Sequence, residues 1–556
     1  MGTYRGKGKP ANNGIAGLLA FIMALALASA MLLPGCSMVA GPVSDNDYDN
    51  AIFIYEDEVE PELAEVPVPT SASPALPPGT VPVYDPGDIA AINAIIDNNG
   101  LPWAKANPAD GSYIPADWEW RLEWEEGWEE IDRGSAWSAG DGAEAAESAE
   151  SAEAAESAES TESTESTEAT EAAEAPAGSK RVVYLSVSLY DLRGALDVSG
   201  LTALERLDCY GNGLSSLNVS GLASLEELMC FGNSLSSLDV SGLAALKRLD
   251  CGYNSLAALD VSGCDGMDSL DCDENQLVSL DVSGLAALER LSCTGNSLAV
   301  LDVSGCAMMG SLDCGDNDLA GLDVSGLDSL RHLDCYSNKI ESLDISGCVA
   351  LEDLVCKNNS LGELDLSGLA GLKRLKCSGN NLSALDVKGM GGIEYLDCSS
   401  NLIGSMDIRG CAGMAYFNCG DNNIDSLDVS GMAALESLYC YKNRVSRLKI
   451  SGCAAMAYLD CSENRLAALD LSGLAALESL YCWRNSISSL GLSDCVRLES
   501  IDCSENRLAS LDVSGLASLG WLNCADNDMP DKNAVTGLEG CYYFLETGWD
   551  GWSFIF

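Results

Sequence analysis

The chain has 556 residues, with 85 Asp and Glu against 30 Lys and Arg, a formal charge of −55, and one histidine, His332. The charge argues against nucleic acid, because phosphate binding needs clustered Lys and Arg. The lone histidine excludes His-pair zinc motifs and counts against a His-based relay.

Arg5, Lys7 and Lys9 precede an apolar run from about Ile15 to Leu33, the positive and apolar regions of an export signal. The run ends in Leu33-Pro34-Gly35-Cys36. This resembles the lipobox of bacterial lipoproteins, and the resemblance implies a signal peptide over 1–35 and a lipid on Cys36 as the mature N-terminus. Two alternatives stay open. Ala28-Ser29-Ala30 is a site for ordinary cleavage and secretion, and the apolar run is long enough to remain as an anchor. All three predict export. Residues 36–84, rich in Pro, Glu and Val, read as a disordered tether.

Residues 85–137 read as a Trp-rich helical N-terminal module. Asp88 is expected to cap a helix carrying Ile89, Ile92, Ile95 and Ile96, closed by Asn99-Gly100. Asp117 is expected to cap a second, with Trp120, Trp124, Trp128 and Ile131 at helical spacing. The tryptophans suit either a sugar-stacking platform or packing on the neighbouring fold, and packing is the simpler reading. Residues 138–179 contain a Glu at every third position from Glu144 to Glu174, uninterrupted by any base. Such spacing winds charge around a helix axis and leaves no apolar face, so an extended acidic stalk is expected.

After a lead-in strand or cap at 180–200, residues 201–536 repeat sixteen times with a period of 21. The first unit reads LTALERLDCYGNGLSSLNVSG, with apolar residues at positions 1, 4, 7, 9, 14, 17 and 19. Position 9 is always Cys, from Cys209 to Cys524, and position 12 is always Asn, from Asn212 to Asn527. Leu207-Asp208-Cys209 alternates as a short strand, so successive units should lay a parallel sheet. Asn212, Asn233, Asn254, Asn275 and their successors should form a ladder that pairs buried backbone groups. Twenty-one residues leave too little chain for an α-helix on the far side, where extended or 3₁₀ segments are expected. Residues 537–556, with Tyr542, Tyr543, Trp549 and Trp552, should cap the rear.

The pattern LxxLxCxxNxLxxLDVSG resembles the leucine-rich repeat, most like the internalin-type repeats of bacterial surface proteins. The resemblance covers about 60% of the chain, counted from the repeat boundaries. It implies a repeat solenoid: a leucine-rich repeat horseshoe with a concave parallel β-sheet, an extended or 3₁₀ convex side and a small helical N-terminal cap. It also implies binding of other macromolecules on the concave face. Cys in place of the third Leu and the 21-residue unit are departures from the pattern. No LPxTG-like wall-sorting tail follows the array, which favours the lipid as anchor.

The sixteen position-9 cysteines point the same way in consecutive turns, a poor disulfide geometry, and read as buried thiols acting as small hydrophobes. Six more, Cys264, Cys306, Cys348, Cys411, Cys453 and Cys495, open their units two or three turns apart, too far to pair with each other.

Positions 6, 8 and 10 should face solvent on the concave side. Position 8 is Asp at Asp208, Asp250, Asp271, Asp313, Asp334, Asp397, Asp460 and Asp502. Aromatics in these columns are Tyr210, Phe231 and Tyr336 early on, then Tyr395, Tyr416, Tyr439, Tyr441, Tyr458, Tyr481, Trp483 and Trp521. Because Tyr and Trp dominate interface hot spots, those last eight are the expected partner-binding residues. His332 is expected to be plain surface.

No catalytic residue, metal site or cofactor is expected, because no nucleophile elbow, phosphate loop or metal triad is present. The expected protein is a lipid-anchored protein of a bacterial cell surface that binds a protein or glycan, on another cell or in the envelope. The alternative is a structural envelope spacer without a specific ligand.

Overall fold

The computed structural model of the chain describes residues 84–106, 115, 118, 122–124, 180–538 and 543–545, all within one compact unit, Pro77–Phe556. The signal region with Cys36, the tether up to residue 83, the acidic stalk and most of the C-terminal cap lie outside the described residues, as do Asp117, Trp120, Trp128 and Ile131.

The period of 21 makes a solenoid because each turn must bury its apolar face on the next. Each unit contributes one three-residue strand, such as Arg206–Asp208, with its central Leu buried. Strand pairs with strand in parallel and in strict register, as in Leu207 with Leu228 and Leu228 with Leu249. The result is a nineteen-stranded sheet. The apolar positions 1, 4, 7, 9, 14, 17 and 19 of the first unit are all buried, as Leu201, Leu204, Leu207, Cys209, Leu214, Leu217 and Val219.

The far side is extended, with no helix among its described residues apart from a short 3₁₀ turn, Lys532–Ala534, in the last unit. Short parallel pairs recur there, such as Gly321–Asp323 with Ser342–Asp344. At the corners, Asp239 Oδ1 accepts hydrogen bonds from the Ser241 backbone N–H and hydroxyl, and the same Asp-Ser pair recurs at Asp281 and Ser283. Gly242 then turns the chain at φ 74°, where a side chain would be strained.

The asparagine column carries the hydrogen bonding. Asn212 Nδ2 donates to Val187 O and Cys209 O, and its Oδ1 accepts from the N–H of Leu192. Asn233, Asn254 and Asn275 each donate to the Cys carbonyls of their own and the preceding turn, and accept from Leu214, Leu235 and Leu256 N–H. These bonds hold the residue before each Asn in the left-handed region even without glycine, as at Tyr253 (φ 50°) and Arg484 (φ 52°).

Every cysteine among the described residues is buried and unbridged. The unit-opening set has a local role that spacing does not reveal. Cys264, Cys348, Cys411 and Cys453 thiols donate to carbonyls of Val240, Val324, Val387 and Val429 at 3.1–3.3 Å, where a Leu would leave the carbonyl without that donor.

The front departs from expectation in three ways. Helix α1, Pro86–Asn99, is capped by Asp85, whose side chain accepts from Gly87 and Asp88 N–H; Asp88 is not the cap. The buried face of Ile89, Ile92, Ile95 and Ile96 and the left-handed Gly100 are as read from sequence. Asp88 is instead fully buried and clamps α1 to the array. Its oxygens accept from Arg181 Nε and Nη2, both at 3.0 Å, and from Val182 N–H at 2.8 Å.

The second helix does not form where described. Strand β1, Leu122–Trp124, pairs antiparallel with β2, Val182–Ser186, and closes the front edge of the sheet. An open edge presents unpaired backbone groups, and pairing them outweighs the helical spacing of the tryptophans. Trp103 and Trp118 are buried, and Trp118 Nε1 donates to Ala104 O. The lead-in is also more than a strand. Residues 182–198 make a complete extra turn, in which Val187 packs at 0% exposure in the cysteine column and Arg193–Asp197 pairs on the far side with Gly213–Asn218. At the rear, Tyr543–Leu545 adds a last parallel strand beside Trp521–Asn523.

Candidate concave binding face

All eight expected partner-binding aromatics are half-buried on the solvent side of the sheet, in columns that alternate with the fully buried Leu and Cys columns. Six form a continuous run. Ring centroids are 4.2 Å apart for Tyr395 and Tyr416, 5.3 Å for Tyr416 and Tyr439, and 4.7 Å for Tyr439 and Tyr458. The run continues at 5.5 Å for Tyr458 and Tyr481, and 6.4 Å for Tyr481 and Trp521. The cause is the register, since strands about 4.8 Å apart bring rings in adjacent turns to stacking distance, and only the last contact, from Tyr481 to Trp521, reaches across an intervening strand. Tyr441 and Trp483 stand outside this run. Tyr441 lies over Gly420, where an added Cβ would come within 2.5 Å of the ring. Arg484 places its guanidinium 5.0 Å from the Trp483 ring centre. In the first half of the face, Tyr210 and Phe231 stack at 4.6 Å, and Tyr336 takes the ammonium of Lys357 at 5.5 Å.

The first half of the sheet carries charge, much of it neutralised internally. Arg206 pairs with Asp208 at 3.2 Å and Glu227 at 3.4 Å, and Arg248 also binds Glu227. His332 is not plain surface. Its Nε2 lies 2.9 Å from Asp313 Oδ1 and its Nδ1 3.4 Å from Asp353 Oδ2, and these two carboxylates push its pKa up to about 10. The repeat interval was the missed signal: adding 21 to 332 gives Asp353, the in-register neighbour. Asp313, His332 and Asp334 form the one group among the described residues able to offer three ligand atoms within 4.8 Å of one another. With both ring nitrogens turned to carboxylates, the imidazolium is itself the cation there and has no lone pair for a metal.

Asp250 and Asp271 are adjacent in register, with Asp273 beside them. Burial and the neighbouring Asp271 carboxylate push Asp250 and Asp273 up to about 7, and burial raises Asp271 and lifts Asp334 to about 6. The folded chain therefore holds these protons more tightly than the unfolded chain does. Between the ordinary carboxylate value of 3.8 and about 7, stability should fall as pH rises. The expected result is a higher unfolding temperature at pH 5.5 than at pH 8. Replacing Asp250, Asp271 and Asp273 together by Asn, which keeps the acceptor oxygens, should stabilise the chain at pH 8 and flatten the difference. Thermal melts of the two proteins check this, and a variant less stable at pH 8 would contradict it.

Burial also raises the array thiols; Cys306, for example, goes up to about 11. They are neither exposed nor ionised and have no nucleophilic role.

A parallel solenoid, an asparagine column, buried Leu and Cys columns and a polar concave sheet define a leucine-rich repeat protein. No protein-family model matches the chain, and no curated protein does. Among solved structures, the functional domain of InlJ from Listeria monocytogenes, which includes a cysteine ladder, is similar at 29% identity and a TM-score of 0.52. That match covers 62% of this chain and 74% of the other. A leucine-rich repeat protein of Leptospira interrogans matches with a TM-score of 0.50 at 21% identity, over 62% of this chain and 90% of its own, and shares the fold.

Among the described residues no helix is long and apolar enough to cross a membrane.

Proposed function

We propose that this is an exported recognition protein, lipid-anchored through Cys36 at a bacterial cell surface, that binds a protein partner on its concave sheet. The observation that carries the reading is the run of half-buried rings from Tyr395 to Trp521. Tyr and Trp supply contact area at low entropic cost, and they are placed where no core needs them. A rigid sheet presents them without reorganisation on binding. The stacking favours a protein over a glycan. Sugars stack on ring faces, and in the Tyr395–Tyr416 pair, parallel to within 2°, each ring covers a face of the other.

The test is binding of the full mature chain to an array of surface proteins and glycans. Replacing Tyr439, Tyr441, Tyr481 and Trp483 together by Ala should weaken the partner by about 30-fold or more, with the array still folded at the assay temperature. Undiminished binding would overturn the concave-face reading, and a chain with no ligand on either array would be a spacer. The lipid is tested separately. Labelled fatty acid should enter the wild-type chain and not the Cys36→Ser variant.

A further inference from the structure

We infer that Asp460 and Asp502, set among Tyr439, Tyr458, Tyr481 and Trp521, receive two cationic side chains of an extended basic polypeptide lying along the array. This deepens the concave-face reading and rests on it.

Tyr439, Asp460, Tyr481 and Asp502 occupy one register position in four consecutive parallel strands, so ring and carboxylate alternate down one column. Tyr458, on the same strand as Asp460, lies 4.7 Å from the Tyr439 ring and 5.5 Å from that of Tyr481. Asp460 thus has a tyrosine beside it in register on each side and a third two residues earlier on its own strand. Ring faces and a carboxylate attract the same kind of group, a guanidinium or an ammonium.

Both acids are built in the same way. Asp460 Oδ1 accepts from Ser462 N–H at 3.0 Å and from its hydroxyl at 2.6 Å. Asp502 Oδ1 accepts from Ser504 N–H at 3.0 Å and from its hydroxyl at 2.6 Å, while its Oδ2 accepts from Asn523 Nδ2 at 3.0 Å. A carboxylate pinned beforehand loses little freedom when a cation arrives.

The two halves of the sheet differ in where cations come from. In the first half Arg206, Arg248, His332 and Arg374 stand in position 6 and lie beside Asp208, Glu227, Asp313 and Asp353. From Met390 to Thr536, positions 6, 8 and 10 hold no Lys or Arg, yet carry Asp397, Asp460 and Asp502. A chain of net charge −55 attracts a basic partner over distance, and these columns offer it carboxylates with no competing Lys or Arg of their own in that half.

Spacing narrows the partner's shape. Asp460 and Asp502 are two strands apart, about 10 Å at ordinary strand spacing. A polyproline II segment advances about 9 Å in three residues. Basic side chains three apart on such a segment fall into step with the two acids.

The experiment titrates the full mature chain with a labelled Pro-rich peptide bearing Arg at two positions three apart, read by fluorescence anisotropy. The wild-type chain should bind it, with affinity falling as salt rises. Asp460→Asn and Asp502→Asn keep the bonds to Ser462 and Ser504, so the fold should hold, and each should lose about tenfold in affinity. A peptide with Glu in place of Arg should not bind. Equal binding by wild type and the double Asn variant, or equal binding of the acidic peptide, would overturn the inference. A partner lost on removing the aromatics but indifferent to both Asn substitutions would overturn it alone and leave the concave-face reading standing.

Discussion

Replacing Asn401 by Ala should destabilise the array by about 3 kcal/mol. Asn401 is 6% exposed. Its Oδ1 accepts from Leu382 N–H at 3.0 Å, and its Nδ2 donates to Cys377, Cys398 and Ser399 carbonyls at 3.0–3.1 Å. The carbonyls keep a second donor in Asn380 Nδ2, Asn422 Nδ2 and Gly379 N–H respectively. Leu382 N–H is left without its acceptor, and an orphaned buried N–H carries most of the cost. Asn401→Asp should be worse than Ala despite its matching shape. It retains the acceptor but aims a carboxylate oxygen at three carbonyl oxygens in a dry interior. Asn527→Ala, in the last regular turn and half-buried, should cost less than either. Urea unfolding of the three variants checks the order. An Asp variant as stable as wild type would mean that the donor half of the ladder carries no weight.

Arg181→Met should cost about 3–5 kcal/mol near neutral pH, the range for removing one partner of a buried ion pair. It strands Asp88, which is 0% exposed. Burial already raises the Asp88 pKa despite the opposing pull of Arg181. Without the guanidinium it should rise further, so Asp88 takes a proton as pH falls and the penalty shrinks. The loss should therefore be smaller at pH 5 than at pH 7.5. Asp85→Ala, which removes the helix cap and a longer 3.7 Å contact with Arg181, should cost about 1 kcal/mol. Fluorescence of the buried Trp103 and Trp118 should report the early release of α1 in the Arg181 variant. An Arg181 variant indistinguishable from the Asp85 variant would show that the clamp adds nothing to the cap.

Two misreadings at the front differ in cause. Trp120, Trp124 and Trp128 are spaced as on a helix, but Leu122–Trp124 meets the unpaired edge of β2 and is drawn into the sheet. Asp88 resembles a cap because apolar residues come directly after it, while Pro86 in the first turn is the local sign that the cap is Asp85. Nothing local in Asp88 announces a partner 93 residues away in Arg181. His332 is different. Its in-register neighbours come from the repeat arithmetic, and only the direction of the ring had to come from coordinates.

By itself the sequence determined the period, the columns and which of them are dry. A backbone ladder between turns of equal length admits one register, so Leu207, Cys209 and Asn212 have counterparts in every turn. Only the tertiary structure decided what the members of a column do to one another. The stacking of Tyr395 on Tyr416, the imidazolium between Asp313 and Asp353, and the bond that pins Asp460 to Ser462 depend on rotamers. Rotamers are settled by neighbours one strand away and one column across, and a linear period does not specify them.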